Sequence, residues 1–191
     1  MATNRLVTKE KIAVYAKTMF AAAREAGGQD SAVEVRNQLK QLCSLIYADM
    51  ELSGALMGIE YAPQVRADLA RAVFADCNPA LREVMAVMAE NRDIDLITGV
   101  YHAYEDNLKA DMNIAVVDVV TVVPLDDELR KLIEKKAETD LGVNAVLNES
   151  IDASILGGII MSVNGKRIDA SMISQLNRAR HTLKDTDGGE S

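Results

Sequence analysis

The chain is poor in the residues that usually mark a catalytic or metal centre. It has no tryptophan, two cysteines and two histidines among 191 residues, and aromatic side chains make up only 4%. Cys43 and Cys77 lack the close spacing of a zinc or redox motif, and His102 stands far from His181. The sequence therefore predicts no metal site and no cofactor, and it predicts two reduced thiols in a cytosolic compartment.

An excess of basic residues is also missing, since the formal net charge is −8 at pH 7. Such a chain lacks the electrostatic basis for binding nucleic acid or anionic lipid directly. Its longest apolar run, "IAVVDVVTVVPL" from Ile114, contains Asp118 and is shorter than the roughly 20 residues of a membrane span. We expect no secretory signal and no spanning segment, and we expect proteins as partners.

The first half of the chain has the pattern of packed helices, with abundant alanine and methionine and apolar residues at helical spacing. Thr8 is predicted to begin the first helix, and Gly27-Gly28 to end it. Ser31 and Glu34 form a capping-box pattern, and Asn78-Pro79 is a further helix start. We predict six helices, which begin near residues 8, 31, 50, 63, 78 and 93.

After Met112 the pattern changes to short β-branched segments. Val116–Val123 and Val143–Leu147 are predicted strands on either side of a helix that follows Asp126. Asn164-Gly165 is a strong hairpin signal between strands 159–163 and 166–168. A last helix is predicted to begin at Asp169 or Ser171.

These patterns predict a mainly α fold: an N-terminal six-helix bundle followed by a small α/β domain with a β-hairpin. The expected boundaries are 1–113 for the bundle, 114–184 for the mixed domain and 185–191 for a disordered polar tail.

Three polar or glycine-rich features are candidates for chemistry. A phosphate loop must open a helix, whereas Gly157-Gly158 runs into the predicted strand that starts at Ile159. The glycines are therefore interpreted as a backbone device. Asp126, Asp127 and Glu128 suit the start of a helix better than a metal cluster, and Asp152 suits a cap or turn.

Apolar stripes leave one further alternative open. Met19, Met85 and Met88 are either core residues or the lining of a groove for a partner helix, and spacing favours the core. From the residues alone the chain is a two-domain interaction protein without a catalytic residue. The alternatives are a free-standing adaptor that binds a helix and a small nucleotide-using enzyme.

Four stretches, in the right order, resemble the ATP synthase delta subunit family, which includes the mitochondrial oligomycin-sensitivity-conferring protein. They are "YAKTMFAAA" from Tyr15, "ENRDIDLITGVYHAYEDNL" from Glu90, "VVTVVPLDDELRKLIEKK" from Val119 and "NESIDASILGGIIMSVNGKRIDASMISQLNRARHTL" from Asn148. The residues that carry the family signature are Asp152, Leu156, Gly157, Gly158, Asn164, Gly165, Asp169 and Ser171.

The resemblance implies a non-catalytic stator subunit of a proton-translocating F-type ATP synthase. In this family the helical domain grips the N-terminal helices of alpha subunits, and the second domain holds the C-terminal end of the b subunit. The implied site on the first helix is an edge formed by Tyr15, Thr18 and Met19. The implied location is cytoplasmic and peripheral to the cell membrane, through partners only and without direct nucleotide binding.

Overall fold

The chain is organised as two compact units. The computed structural model describes residues 2–163 and 166–169, with side chains from residue 5 onward. The helical unit ends at Asn113, and the mixed unit begins at Ile114.

The described part of the helical unit contains five α-helices. They are α1 (Ala2–Ala48), α2 (Met50–Met57), α3 (Pro63–Val73), α4 (Pro79–Asn91) and α5 (Ile97–Met112), and a 3-10 turn over Ile94–Leu96 precedes α5. Backbone at Gly27 and Gly28 divides α1, because Gly28 has a φ of 62°, a region that glycine adopts without a Cβ penalty. The predicted set of six helical segments is therefore confirmed.

Of the three N-caps predicted for the helical unit, two are wrong and one is correct. The first helix begins at Ala2, so Thr8 lies inside it and does not cap it. Ser31 has helical backbone and is not an N-cap; its Oγ accepts a hydrogen bond of 3.2 Å from Asn78 Nδ2. Asn78 caps α4 as predicted, since its Oδ1 accepts a hydrogen bond of 3.0 Å from the N–H of Ala80.

The core of the helical unit is closed and mainly apolar. Its completely buried side chains include Met19, Leu39, Leu56, Leu81, Met85, Met88, Ile94 and Tyr104. Phe20 and Tyr104 meet edge to face with ring centroids 5.7 Å apart, a favoured aromatic geometry. The three methionines of the predicted stripe are therefore core residues, and the alternative of a methionine-lined groove is wrong.

The described part of the mixed unit is one sheet and one helix. Its elements are β1 (Ile114–Thr121), α6 (Asp127–Leu141), β2 (Asn144–Ile151), β3 (Ile159–Val163) and β4 (Lys166–Asp169), and a 3-10 turn over Ala153–Ile155 precedes β3. The strand order is β2-β1-β3-β4. β1 and β2 are parallel and joined through α6, whereas β3 is antiparallel to both β1 and β4. The predicted fold class is confirmed.

The strand boundaries differ from the prediction for local reasons. Asn113 ends α5 in the left-handed conformation, so β1 begins two residues earlier than expected, at Ile114. Asp118 remains inside β1 because its carboxylate accepts a hydrogen bond of 2.7 Å from Asn148 Nδ2. The strand stops at Thr121, whose hydroxyl donates to the carbonyl of Val123 at 2.7 Å.

The acids before α6 act at the start of the helix, as predicted. The Asp126 Oδ1 accepts a hydrogen bond of 2.7 Å from the N–H of Leu129, and Asp127 and Glu128 occupy the first turn. Negative charge at this end stabilises the helix dipole. Gly142 ends α6 with a φ of 68°.

Candidate functional site

A buried ion pair connects α1 and α5 inside the helical unit. Arg36 Nη2 and Nε donate to Glu105 Oε1 at 2.6 and 3.1 Å, and the Tyr101 hydroxyl donates to the same oxygen at 2.7 Å. The exposed fractions of the Arg36 and Glu105 side chains are 1% and 9%. Because each charge satisfies the other, this cluster serves as a cross-link between helices rather than as a reactive centre.

A second buried guanidinium, that of Arg66, binds backbone carbonyls. It donates to Ala89 O at 2.9 Å and to Glu90 O at 2.7 Å at the end of α4. It also donates to the carbonyls of Gly58 and Tyr61 in the loop before α3. The last carbonyls of a helix have no partner inside the helix, so Arg66 supplies one. Its role is therefore structural.

A polar cluster around Asp93 attaches α1 to the end of α4. Lys11 Nζ lies 2.8 Å from Asp93 Oδ1, and the Tyr15 hydroxyl donates to Asp93 Oδ2 at 2.8 Å. Asn91 Nδ2 donates to the Tyr15 hydroxyl at 3.3 Å. Burial, and then the hydrogen bond to Asp93, raise the pKa of Tyr15 to about 12. Tyr15 therefore stays neutral, as a hydrogen-bond donor, across the physiological range.

Beside this cluster the helical unit has an exposed apolar edge. Contacts of Asn91 with Tyr15 and of Asn78 with Ser31 show that α1 and α4 run antiparallel. Val7 and Val14 lie seven residues apart on one side of α1, and Val87 lies one turn before Asn91 on α4. All three valines are exposed. We call Val7, Val14, Thr18 and Val87 the α1–α4 edge.

The three predicted binding residues on α1 differ in how deeply they are buried. Thr18 is exposed and follows Val14 by one turn, so it belongs to the edge. Tyr15 is half-buried and holds Asp93. Met19 is completely buried, so it lies beneath the edge in the core and not on the surface. The sequence analysis did not identify Val7 and Val14. These residues are seven positions apart with Lys11 between them, so they lie on the same side of the helix as a charged residue, which indicates an exposed stripe.

The Leu156–Gly158 turn is a backbone device that leads into β3. Leu156 and Gly158 have φ values of 59° and 82°, and Gly157 has a φ of 154°. Asp152 Oδ1 accepts a hydrogen bond of 2.8 Å from the N–H of Ser154. Hydrogen bonding to the side chain of Ser154, and then to its backbone, lowers the pKa of Asp152. Because β3 follows Gly158 directly, the turn lacks the helix N-terminus that a phosphate loop requires. This geometry agrees with the interpretation of the glycine pair as a backbone device.

Of the other signature residues, the structure describes only Asp169. Asp169 ends β4, where it pairs with Ile160 of β3. Asn164, Gly165 and Ser171 lie outside the described residues, as do the predicted last helix and tail.

The mixed unit has an open groove between α6 and the sheet. The groove has a volume of about 430 Å³ and is lined mainly by apolar side chains of α6, β1, β3 and β4. Lys136, Asp140 and Lys166 are the charged residues that the described strands and helix contribute to the lining. Packing within the described part of the chain buries none of the α6 residues. The sequence did not reveal this groove because the strand order that forms it was not predicted.

Reactive groups are sparse in the part of the chain that the structure describes. No group of three or more histidine, cysteine, aspartate or glutamate side chains in those residues is arranged to hold a metal ion. Burial raises the pKa of the Cys43 thiol to about 11, which disfavours the reactive thiolate. In the same residues, no helix is both long and apolar enough to cross a membrane.

Two compact units, each with an exposed apolar surface, are typical of a connecting protein that binds other proteins. A family model described as the ATP synthase delta (OSCP) subunit matches residues 12–183. The chain belongs to the ATP synthase delta (OSCP) subunit family, and it is a non-catalytic subunit of the peripheral stalk of an F-type ATP synthase.

Individual relatives cover most of the chain. ATP synthase subunit delta from Prochlorococcus marinus (strain MIT 9515) is 29% identical over 86% of this chain and 91% of its own length. The corresponding protein from strain AS9601 is 30% identical over 78% and 84%. A chain in the cryo-EM structure of the Toxoplasma gondii mitochondrial ATP synthase hexamer is 19% identical, with a TM-score of 0.49, and the match covers 90% of this chain and 96% of that one.

Proposed function

We propose that the chain connects the catalytic head of the ATP synthase to its b-subunit stalk. The helical unit binds N-terminal helices of alpha subunits, and the mixed unit holds the C-terminal end of the b subunit. The connection resists the torque of the rotor, so that proton flow is coupled to ATP synthesis. The protein is cytoplasmic and reaches the cell membrane only through these partners. Family membership and the separate exposed surface on each unit support this proposal.

The observation that carries the proposal for the helical unit is the α1–α4 edge. Val14 is 62% exposed and Val87 is 42% exposed, although both belong to helices whose other faces form the core. An amphipathic helix that lies along the edge removes these valines from water, which is the usual driving force of helix-in-groove binding.

The residues of the predicted binding site then have separate roles. Thr18 contacts the partner helix directly. Tyr15 acts through Asp93, which keeps α1 fixed against the end of α4. Met19 packs beneath the edge and supports its shape, since its side chain is completely buried.

Calorimetry of the full chain with a synthetic peptide that corresponds to the N-terminus of the cognate alpha subunit tests this assignment. Val14→Asp is expected to weaken binding about tenfold or more, because the loss of one buried valine costs about 1.5 kcal/mol and the carboxylate adds a desolvation penalty. Val65→Asp is the matched control, since Val65 is 53% exposed but lies on α3.

Two outcomes contradict the proposal for the helical unit. One is the absence of detectable heat with the wild-type chain at high micromolar peptide. The other is an equal loss of affinity in Val14→Asp and Val65→Asp. Equilibrium dialysis with ATP adds an independent check, because a connecting protein is expected to retain no nucleotide.

A further inference from the structure

The Arg66 guanidinium joins two segments of the helical unit that are distant from each other in the sequence. Its Nε and Nη2 donate to Ala89 O and Glu90 O in the last turn of α4, at 2.9 and 2.7 Å. Its Nη1 donates to Gly58 O and Tyr61 O before α3. A planar guanidinium serves four carbonyls at fixed angles, which the single ammonium group of a lysine cannot do. Arg66 therefore fixes the end of α4 against this loop.

The turn that follows α4 has a strained backbone. Arg92 has a φ of 58° and a ψ of 39°, the left-handed region that is disfavoured for a residue with a Cβ. The N–H of Arg92 donates to Ala89 O at 3.2 Å, and the N–H of Asp93 donates to Met88 O at 2.8 Å. These two bonds are the Schellman pattern. Ala89 O accepts from both Arg66 and Arg92, so Arg66 holds a carbonyl on which the strained turn depends.

Asp93 is the next residue of this turn, and its carboxylate holds α1. Asp93 is 8% exposed and accepts hydrogen bonds from Lys11 Nζ at 2.8 and 2.9 Å and from the Tyr15 hydroxyl at 2.8 Å. Because Asp93 directly follows the left-handed residue, the direction of its side chain depends on the geometry of the turn. A change in the turn therefore moves the acceptor that Lys11 and Tyr15 share.

Lys11 and Tyr15 also belong to a depression on the surface of α1. The depression has a volume of about 280 Å³ and is lined by Val7, Glu10, Lys11, Val14 and Tyr15. Val7 and Val14 are part of the α1–α4 edge, at which the alpha-subunit helix is proposed to bind. The surface offered to that helix therefore combines exposed valines with two side chains whose positions Asp93 sets.

We propose that Arg66 is a positioning residue for partner binding at the α1–α4 edge, and that it acts through the turn at Arg92 and the carboxylate of Asp93. The proposal rests on the function proposed above for the helical unit. Arg66 is not among the residues that line the depression, so its contribution is indirect. It keeps Lys11 and Tyr15 in the arrangement that the partner helix meets. A preformed surface binds more tightly, because less order has to be created on binding.

Calorimetry of the full chain with the alpha-subunit peptide tests the role of the guanidinium. Arg66→Lys keeps the charge but loses the geometry for four carbonyls, and it is expected to weaken binding about fivefold, an effect typical of residues that act without touching the ligand. Arg36→Lys is the matched control, since Arg36 is buried in the same unit but binds Glu105 of α5. Its expected change is less than about twofold. Circular dichroism checks that both variants are folded at the temperature of the titration.

A double-mutant cycle distinguishes positioning through Asp93 from a general loss of stability. Asp93→Ala removes the acceptor that Lys11 and Tyr15 share, and alone it is expected to weaken the peptide about fivefold. In the Asp93→Ala background, Arg66→Lys is expected to add less than about twofold, because the connection to α1 is already lost. Independent effects multiply instead, to about 25-fold in the double variant.

The turn itself provides a second test, which leaves Arg66 in place. Arg92 is exposed, so its replacement creates no cavity. Arg92→Gly and Arg92→Val both remove the charge, but glycine adopts the left-handed conformation freely, whereas a β-branched side chain disfavours it strongly. Arg92→Val is therefore expected to bind the peptide at least about threefold more weakly than Arg92→Gly. Hydrogen exchange of the Asp93 amide is expected to be faster in Arg92→Val than in Arg92→Gly.

The outcomes separate this proposal from the one on which it rests. Equal affinities of the wild-type chain and Arg66→Lys, equal losses in Arg66→Lys and Arg36→Lys, or a multiplicative double variant overturns the positioning role but leaves the partner assignment intact. Equal binding by the two Arg92 variants does the same, and this pair decides alone if Arg66→Lys is not folded. If the peptide does not bind the wild-type chain, or binds Val14→Asp as tightly, the function proposed for the helical unit fails and the positioning role fails with it.

Discussion

The helical and mixed units differ in how completely their helices are covered. Every helix from α2 to α5 contributes buried side chains to the core, and α4 and α5 have completely buried residues such as Met85 and Tyr104. In the described part of the mixed unit α6 contributes none, and burial is concentrated in β1. The helical unit therefore has a closed core to which all of its helices contribute, whereas burial in the described part of the mixed unit lies mainly in its central strand.

The burial of charged groups also differs between the two units. The helical unit buries Arg36 with Glu105 and buries Arg66 against carbonyl groups. In the mixed unit Arg130 forms its ion pairs with Glu149 and Asp127 near the surface. Breaking a buried pair leaves an uncompensated charge in a medium of low dielectric, whereas water compensates a broken surface pair. The same kind of interaction should therefore stabilise the two units very differently.

The largest expected effect is that of Arg36→Leu. Removal of the guanidinium leaves Glu105 buried without its cation, which costs about 3–5 kcal/mol of unfolding free energy. Urea unfolding followed by tyrosine fluorescence measures this, because all five tyrosines lie in the helical unit. The double variant Arg36→Leu with Glu105→Leu should recover part of the loss. A loss below about 1 kcal/mol in the single variant contradicts a stabilising role for the pair.

Local signals in the sequence predicted much of the fold. The break at Gly27-Gly28, the cap at Asn78 and the acids at the start of α6 each depend on a few neighbouring residues, and each is present in the structure. The start at Thr8 was wrong because a helix can extend through a capping residue when the preceding residues are also compatible with helix. Caps restrict a boundary without fixing it.

Long-range features could not be read from the sequence. The partner of Arg36 lies 69 positions away. Arg66 binds Ala89 and Glu90, which lie 23 and 24 positions away, so the sequence pattern does not reveal that either charge is buried. Periodicity places Met19 on the apolar side of α1, but it cannot say whether that side meets a core or a partner. In the structure this side chain is completely buried in the core. The α6 groove depends on β3 pairing with β1, which joins segments that are distant in the chain.

A smaller effect is expected from Gly158→Val, which tests the mixed unit alone. Gly158 has a φ of 82°, a conformation that costs a side chain with a Cβ roughly 1–2 kcal/mol, and more if it is β-branched. Hydrogen exchange of the β1 and β3 amides should accelerate, and binding of a peptide that corresponds to the C-terminal end of the b subunit should weaken. The tyrosine-detected unfolding curve should not change. Normal binding of the b-subunit peptide by this variant shows that the glycine is not needed there.

The smallest effect, Arg130→Ala, sharpens the contrast with Arg36. The hydrogen bond from Arg130 lowers the pKa of Glu149, so any stabilisation is present above the usual carboxyl range and is lost as the pH falls through the lowered value. Both groups are accessible to water and to salt, which screen the attraction. Hydrogen exchange of β1 and β2 amides at neutral pH and physiological salt should therefore be unchanged in Arg130→Ala. A destabilisation as large as that of Arg36→Leu means that the pair is buried in solution, in which case the mixed unit is more closed than its exposed α6 indicates.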